Sequence, residues 1–387
     1  MQKLLTPSQL PKIKGSKIDM SQTTETVLEI DLDALHSNYR YLRSKINPET
    51  KFVAVIKAFG YGSDSTIIAN ALTPLVDYFA VAYTYEGEDL RKNNITKPTM
   101  VFHALPVDFE SLVGNTLEPC IYSIKMLRSF IAYVEQEGKE EFPIHLKFNT
   151  GLNRLGFIEE EIPAIIAVLS QTKSVKVESV FSHLVASEDP SEREFSLKQI
   201  ADFRNISEKL IKLLGYKPLL HCTNTSGVIN YPEAYFDMVR SGIGLFGFGN
   251  NVEENKHLQP VATLKTVILQ IHDVKIGESV GYNRAFIADR PTRSATLPLG
   301  HADGIARSYG NGKGWVMIKG KKAPFIGNVC MDMLMVDVTD IDCEEGDEVI
   351  VFGKSSTAEE LTAGINSIPY ELLTAISQRI SRKVKES

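Results

Sequence analysis

Apolar and polar positions follow two different rhythms along this chain, and the change near residue 261 divides it in two. In the first part, short β-branched runs recur: Phe52 to Lys57, Tyr78 to Ala82, Thr99 to His103, Glu118 to Ile121, Pro143 to Phe148, Val175 to His183, Pro218 to Thr223 and Asp237 to Arg240. Between them the apolar spacing becomes helical, as in Ile124 to Val134, Ile162 to Leu169 and Lys198 to Leu214. A further strand-like run, Thr26 to Asp31, leads into a helix from about Asp33 to Ile46. Eight strands alternating with helices over roughly 210 residues predict an α/β fold, a (β/α)8 barrel of the TIM type. A doubly wound open sheet is the rival, but no GxGxxG follows the first strand.

Beyond Val261 the pattern is mostly β. Short runs (Ala262 to His272, Ser294 to Pro298, Gly314 to Ile318, Met333 to Val338, Glu348 to Phe352) are broken by Gly, Pro and Asp turns. Helices are expected at Ala358 to Ser367 and Pro369 to Ser377. The expected organisation is a flexible extension over 1–24, a barrel over 25–261 and a mostly-β domain over 262–387.

Composition narrows the function. With 43% hydrophobic and 23% charged residues the chain is globular rather than disordered. A net charge of -6 argues against nucleic acid or an anionic membrane as the main partner. Cys120, Cys222, Cys330 and Cys343 form no CxxC pair and read as reduced thiols of a cytoplasmic protein. No HExxH pair is present, so no metal is expected. No apolar run is long enough to span a bilayer, and the stretch before Thr24 lacks the apolar core of a signal peptide.

Several polar residues fall at the C-terminal ends of predicted barrel strands, where barrel enzymes carry their chemistry. Lys57 ends the first, Lys147 the fifth, His183 the sixth and Arg240 the eighth. A lysine ending a buried strand beside a Gly-rich turn suits a Schiff base with a carbonyl cofactor; the alternative is a lysine leaving the strand for solvent. The loops Thr223 to Gly227 and Ser241 to Gly244 have the small hydroxyls and backbone N–H groups of a phosphate cradle. An amine facing a phosphate cradle points to pyridoxal 5′-phosphate, which carries an aldehyde and a phosphate.

With these residues assembled, the sequence resembles alanine racemase, a fold-type III pyridoxal-phosphate enzyme, from about residue 27 onward. The matching runs are Ala54 to Gly62 (AVIKAFGYG), Lys147 to Gly156 (KFNTGLNRLG), Phe236 to Gly247 (FDMVRSGIGLFG), Leu297 to Gly304 (LPLGHADG) and Val329 to Met333 (VCMDM). The resemblance implies two bases: Lys57, which also holds the cofactor, and Tyr282, reaching the opposite face of the substrate from the other subunit of a homodimer. It implies Arg240 at the pyridine nitrogen, and Arg154, His183 and His221 in the surrounding network. Tyr61, Thr225, Gly242 and Ile243 would hold the phosphate. Met331 and Asp332 would meet the substrate with Arg154, and Lys147 matches a lysine that is often carbamylated. His301 and Gln378 depart from the family pattern, where a tyrosine lines the entrance at the first and a tyrosine or proline stands at the second.

The implied activity is interconversion of L- and D-alanine for peptidoglycan precursors. A broad-specificity or serine-preferring racemase would use the same two bases. A fold-type III decarboxylase would place an acid at the pyridine nitrogen rather than Arg240, and a non-catalytic cofactor carrier would end after the barrel.

Overall fold

Strand β1 (Val27–Ile30) precedes eight strands that run parallel in a single curved sheet. These are β2 (Lys51–Val55), β3 (Tyr78–Val81), β4 (Thr99–Val101), β5 (Glu118–Ile121), β6 (Phe142–Lys147), β7 (Val175–Phe181), β8 (Leu219–His221) and β9 (Met238–Ser241). The chain is described here from a computed structural model covering residues 25–386. The extension expected over 1–24 lies outside the described residues. Hydrogen bonding follows the order β8-β7-β6-β5-β4-β3-β2-β9, so only the β8/β9 seam lacks a ladder. That seam is bridged instead: Asp237 N donates to Leu220 O at 3.1 Å, and Arg240 N donates to Thr223 Oγ1 at 3.1 Å. The result is the nearly closed barrel that the alternating pattern predicts. Every residue of β3, β4, β5 and β9 is buried, as expected where helices cover one face of a parallel sheet and barrel side chains fill the other.

The second domain is built on a nine-stranded sheet. Its strands are β10 (Ala262–Val267), β11 (Gln270–Val274), β14 (Thr292–Leu297), β15 (Trp315–Ile318), β16 (Lys321–Ile326), β17 (Leu334–Asp337), β18 (Glu348–Phe352) and β19 (Ser381–Val384), together with β1; β12 (Ser279–Val280) and β13 (Phe286–Ile287) form a separate hairpin. Strand β1, expected to lead into the barrel, pairs antiparallel with β10 and parallel with β19. Leu28 and Ile30 are buried there, and Glu29 meets Lys265 at 2.9 Å. The single run expected over Ala262 to His272 is two strands, because Ile268 and Leu269 leave the first ladder to bond Asp347 O and Thr296 O. Strand β16 contains Pro324 and β19 is charged and exposed, and both features hide a strand from a pattern reading. Among the described residues no helix is long and apolar enough to cross a membrane.

Candidate active site

Strand β2 delivers Lys57 to the C-terminal mouth of the barrel. Four of its five residues are buried and Ile56 N still bonds Ala80 O across to β3, so the backbone is fixed up to the lysine. The chain then makes a left-handed turn: Ala58, Phe59, Gly60 and Tyr61 have φ of 53°, 55°, 61° and 51°. Each non-glycine residue there costs ~1–2 kcal/mol, so the turn persists only because its surroundings hold it. Glu86, buried on the neighbouring helix Thr84–Lys92, accepts from Ala58 N at 2.6 Å through one oxygen and from Ala82 N and Tyr83 N through the other. Arg382 of β19 donates to Gly62 O at 3.0 Å and lies over the Phe59 ring. Gly62 itself is irreplaceable, since a Cβ there would lie 2.1 Å from Leu373 O. Asp64 then caps the helix Ser65–Leu72.

Lys57, Tyr61, Lys147, Arg154, His183, Thr225, Arg240, Gly242 and Ile243 line one cavity of about 290 Å³ at this mouth. Burial, then the charge of Arg154, lowers the Lys57 pKa, against a smaller opposing pull from Glu86. Lys147 is lowered to about 8 by burial and by Arg154 and Arg240. An amine in that state is available as a nucleophile near neutral pH. Arg240 is 3% exposed and lies over the Phe181 ring. Its Nη2 donates to Ser182 O at 2.8 Å and to His183 Nδ1 at 3.2 Å, and its Nη1 donates to His221 Nδ1. Burial and the Arg240 charge push both histidines well below the ordinary imidazole range. Neutral His183, accepting at Nδ1, therefore carries its proton on Nε2. His221 does not line the cavity; it is fully buried one layer behind Arg240.

Opposite the lysine, two short helical segments, Thr225–Asn230 and Ile243–Phe246, begin side by side. Thr225 Oγ1 accepts from Gly244 N at 3.2 Å and lies 3.0 Å from Ser241 Oγ. A Cβ at Gly242 would lie 2.2 Å from the Tyr61 hydroxyl, so glycine keeps this corner open to that phenol. Tyr370, which the sequence reading missed, also lines the cavity and donates to Asn250 Oδ1 at 3.0 Å. Glu86 was missed as well; its place three residues after Tyr83 reads only as a local helix cap.

The remaining candidates lie elsewhere. Tyr282, Met331 and Asp332 line a separate groove of about 1240 Å³ on the second domain. Tyr282 is 74% exposed at the tip of the β12–β13 hairpin, where Gly281, Asn283 and Arg284 have positive φ. Asp332 accepts from Arg379 Nη2 at 2.8 Å, and Arg379 Nε donates to Asp303 at 2.6 Å. His301 lines neither space, and its backbone N donates to Cys330 O at 2.9 Å. Gln378 precedes Arg379 and also lies outside both linings. One copy of the chain thus gathers the lysine side of the expected site but not the tyrosine side.

Known proteins resemble this chain over nearly its whole length. Residues 30–249 match the family described as alanine racemase, N-terminal domain, and residues 261–384 match alanine racemase, C-terminal domain. The chain belongs to the alanine racemase family. The N-terminal match spans all eight barrel strands, and the C-terminal match spans β10 to β19. Alanine racemase 2 of Caldanaerobacter subterraneus subsp. tengcongensis is 33% identical over 370 residues, covering 92% of this chain and 94% of that protein. The alanine racemase structure from Clostridium difficile 630 superposes with a TM-score of 0.87 at 31% identity, over 93% of this chain and 95% of that one. The one from Bartonella henselae, with covalently bound pyridoxal phosphate, gives 0.83 at 28% identity, over 94% and 100%. The chain is accordingly an isomerase of the alanine racemase family.

Proposed function

We propose that this chain interconverts L- and D-alanine as a homodimer, with pyridoxal 5′-phosphate as cofactor and with Lys57 and the other copy's Tyr282 as opposed bases. The observation that carries the proposal is the separation just described: a half-buried amine of lowered pKa in one cavity, and an exposed phenol over another groove of the same chain. Inverting a carbon centre requires a proton taken on one face and returned on the other, and a second copy supplies the second face.

The lining residues fit the cofactor. Lys57 provides the amine, the start of two helical segments and the Tyr61 hydroxyl flank a corner only glycine leaves open, and Arg240 retains N–H groups beyond its three hydrogen bonds. Pyridoxal phosphate, when bound, supplies a carbonyl for the substrate amine and a ring that withdraws charge from Cα. Lys57 Nζ then takes or returns the Cα proton on its face, and Tyr282 Oη does so on the other. Arg240, permanently charged, would face the pyridine nitrogen as a donor and leave it unprotonated, which limits charge withdrawal and disfavours side reactions. Tyr61, Thr225, Gly242 and Ile243 would bind the phosphate; Arg154, Met331, Asp332 and His301 would orient or admit the substrate.

On this reading the reaction runs in the cytoplasm and supplies D-alanine for peptidoglycan precursors, a role that membership of the family supports. The test is incubation with L-alanine and pyridoxal phosphate in D2O. D-alanine carrying deuterium at Cα is expected; its absence, together with formation of D-serine from L-serine, would move the assignment to a serine-preferring racemase.

A further inference from the structure

A continuous line of polar side chains crosses the barrel interior, one from each of five adjacent strands. Arg240 of β9 donates to His221 Nδ1 of β8. His221 Nε2 lies 2.9 Å from Ser179 Oγ of β7, and that oxygen lies 2.7 Å from His145 Nδ1 of β6. His145 Nε2 is 2.8 Å from Glu118 Oε2 at the start of β5. Relative exposures along the line are 3%, 0%, 0%, 0% and 6%, so no link is replaced by bulk water. Barrel interiors are normally filled by branched apolar layers, and a polar chain there is tolerated only when every member is satisfied.

With both imidazoles neutral, counting protons from the arginine end fixes every bond. Arginine only donates, so His221 Nδ1 accepts and bears no proton. A neutral His221 then carries its proton on Nε2 and donates to Ser179 Oγ. The single Ser179 hydroxyl proton goes to His145 Nδ1. His145 in turn holds its proton on Nε2 and donates to Glu118. The line has one polarity, and Glu118 ends it as the acceptor. Among the described residues no carboxylate hydrogen-bonds Arg240 directly; burial lowers its pKa to about 10.

We infer that Ser179, His145 and Glu118 are positioning residues for Arg240: they hold in place the His221 ring that accepts from the guanidinium and supply its counter-charge through the barrel. Their link to catalysis rests on the proposed role of Arg240 at the cofactor ring, but the hydrogen-bond polarity does not. Glu118 borders a surface pocket beside Arg91 and Thr116, on the side of the barrel away from Lys57, so the line joins the reactive mouth to the opposite end.

The test uses full-length protein with 15N-labelled histidine, before and after loading with pyridoxal phosphate. In the unaltered protein, His145 and His221, assigned through His145→Gln and His221→Gln, are both expected as Nε2–H tautomers. Ser179→Ala should leave both tautomers, which Arg240 and Glu118 still dictate, but shift the ring signals of both histidines by removing their shared partner and weaken pyridoxal-phosphate binding roughly tenfold, read from the cofactor's absorbance on titration, while Ser179→Thr should restore signals and affinity. Glu118→Gln keeps an acceptor but removes the charge, and should weaken cofactor binding without changing either tautomer. An Nδ1–H tautomer at His221 in the unaltered protein would overturn the inference, whether or not the variants fold. So would unchanged ring signals and affinity in Ser179→Ala. Correct tautomers in a protein that fails to racemise alanine would reject the proposed reaction and leave the relay standing.

Discussion

The Glu86 carboxylate accepts the amide proton of Ala58 at 2.6 Å, so an acid on a neighbouring helix clamps the peptide immediately after Lys57. Its second oxygen holds Ala82 N and Tyr83 N, making three backbone donors on one side chain. Glu86→Ala leaves all three without that partner and frees a turn that is strained by itself. The expected loss is about 2–4 kcal/mol by urea denaturation, with a fall in turnover of more than roughly tenfold. Stability within ~0.5 kcal/mol of the unaltered protein would show that the turn holds without the clamp.

Lys147 sets a pH dependence whose sign follows from its lowered pKa. The folded chain releases this proton near pH 8, whereas an unfolded chain holds it to about 10.5, so between those limits the unfolded state binds more protons and stability rises with pH. Lys147→Met removes the effect. The variant's advantage over the unaltered protein should be greatest below pH 8 and shrink as pH approaches 10.5; an advantage independent of pH would contradict the assignment.

The same neutral amine is expected to take up carbon dioxide, forming an N–C bond and losing a proton to give an anionic carbamate beside Arg154. 13C-bicarbonate should produce a carbamate signal in the protein that is absent from Lys147→Ala. An identical spectrum in both would reject the modification.

Tyr282 in trans predicts complementation. Lys57→Ala and Tyr282→Phe should each be inactive or nearly so. Dissociated, mixed in equal amounts and reassociated, half the dimers are hybrids, and each hybrid has one complete site. Activity should return to about a quarter of the unaltered level. No recovery, with hybrid dimers demonstrated, would place the tyrosine in its own chain's site or outside the reaction.

His301→Tyr restores the aromatic side chain usual at the entrance. It should change KM more than kcat, because His301 lies outside the cavity lining. Loss of all turnover would mean that His301 does more than shape access.

The barrel was legible because its strands are short runs buried on both faces, and nothing else in a sequence reads that way at that spacing. Lys57, Lys147 and Arg240 were legible because charge at the end of such a run is anomalous. Glu86 and Tyr370 were not. Each has a sufficient local explanation, as a helix cap and a helix aromatic, and only the fold brings them to the lysine turn and the phosphate corner. Ser179 was hidden for the same reason: a serine in a strand gives no sign that it joins two histidines from adjacent strands. Strand β19 escaped because a run of charges is tolerated at a sheet edge, and β16 because Pro324 interrupts its pattern, in a central strand but just before its ladder to β17 begins at Phe325.

The pairing of β1 with both β10 and β19 carries a consequence for how the protein is made. The second sheet needs strands synthesised first and last, with the whole barrel between them. On the ribosome, β1 must wait unpaired while the barrel emerges and folds, and Arg382, which ties β19 to Gly62 beside the lysine turn, arrives only at the end. A nascent chain therefore carries a barrel before it carries a finished lysine turn, and the reactive amine is secured only once β19 has been made.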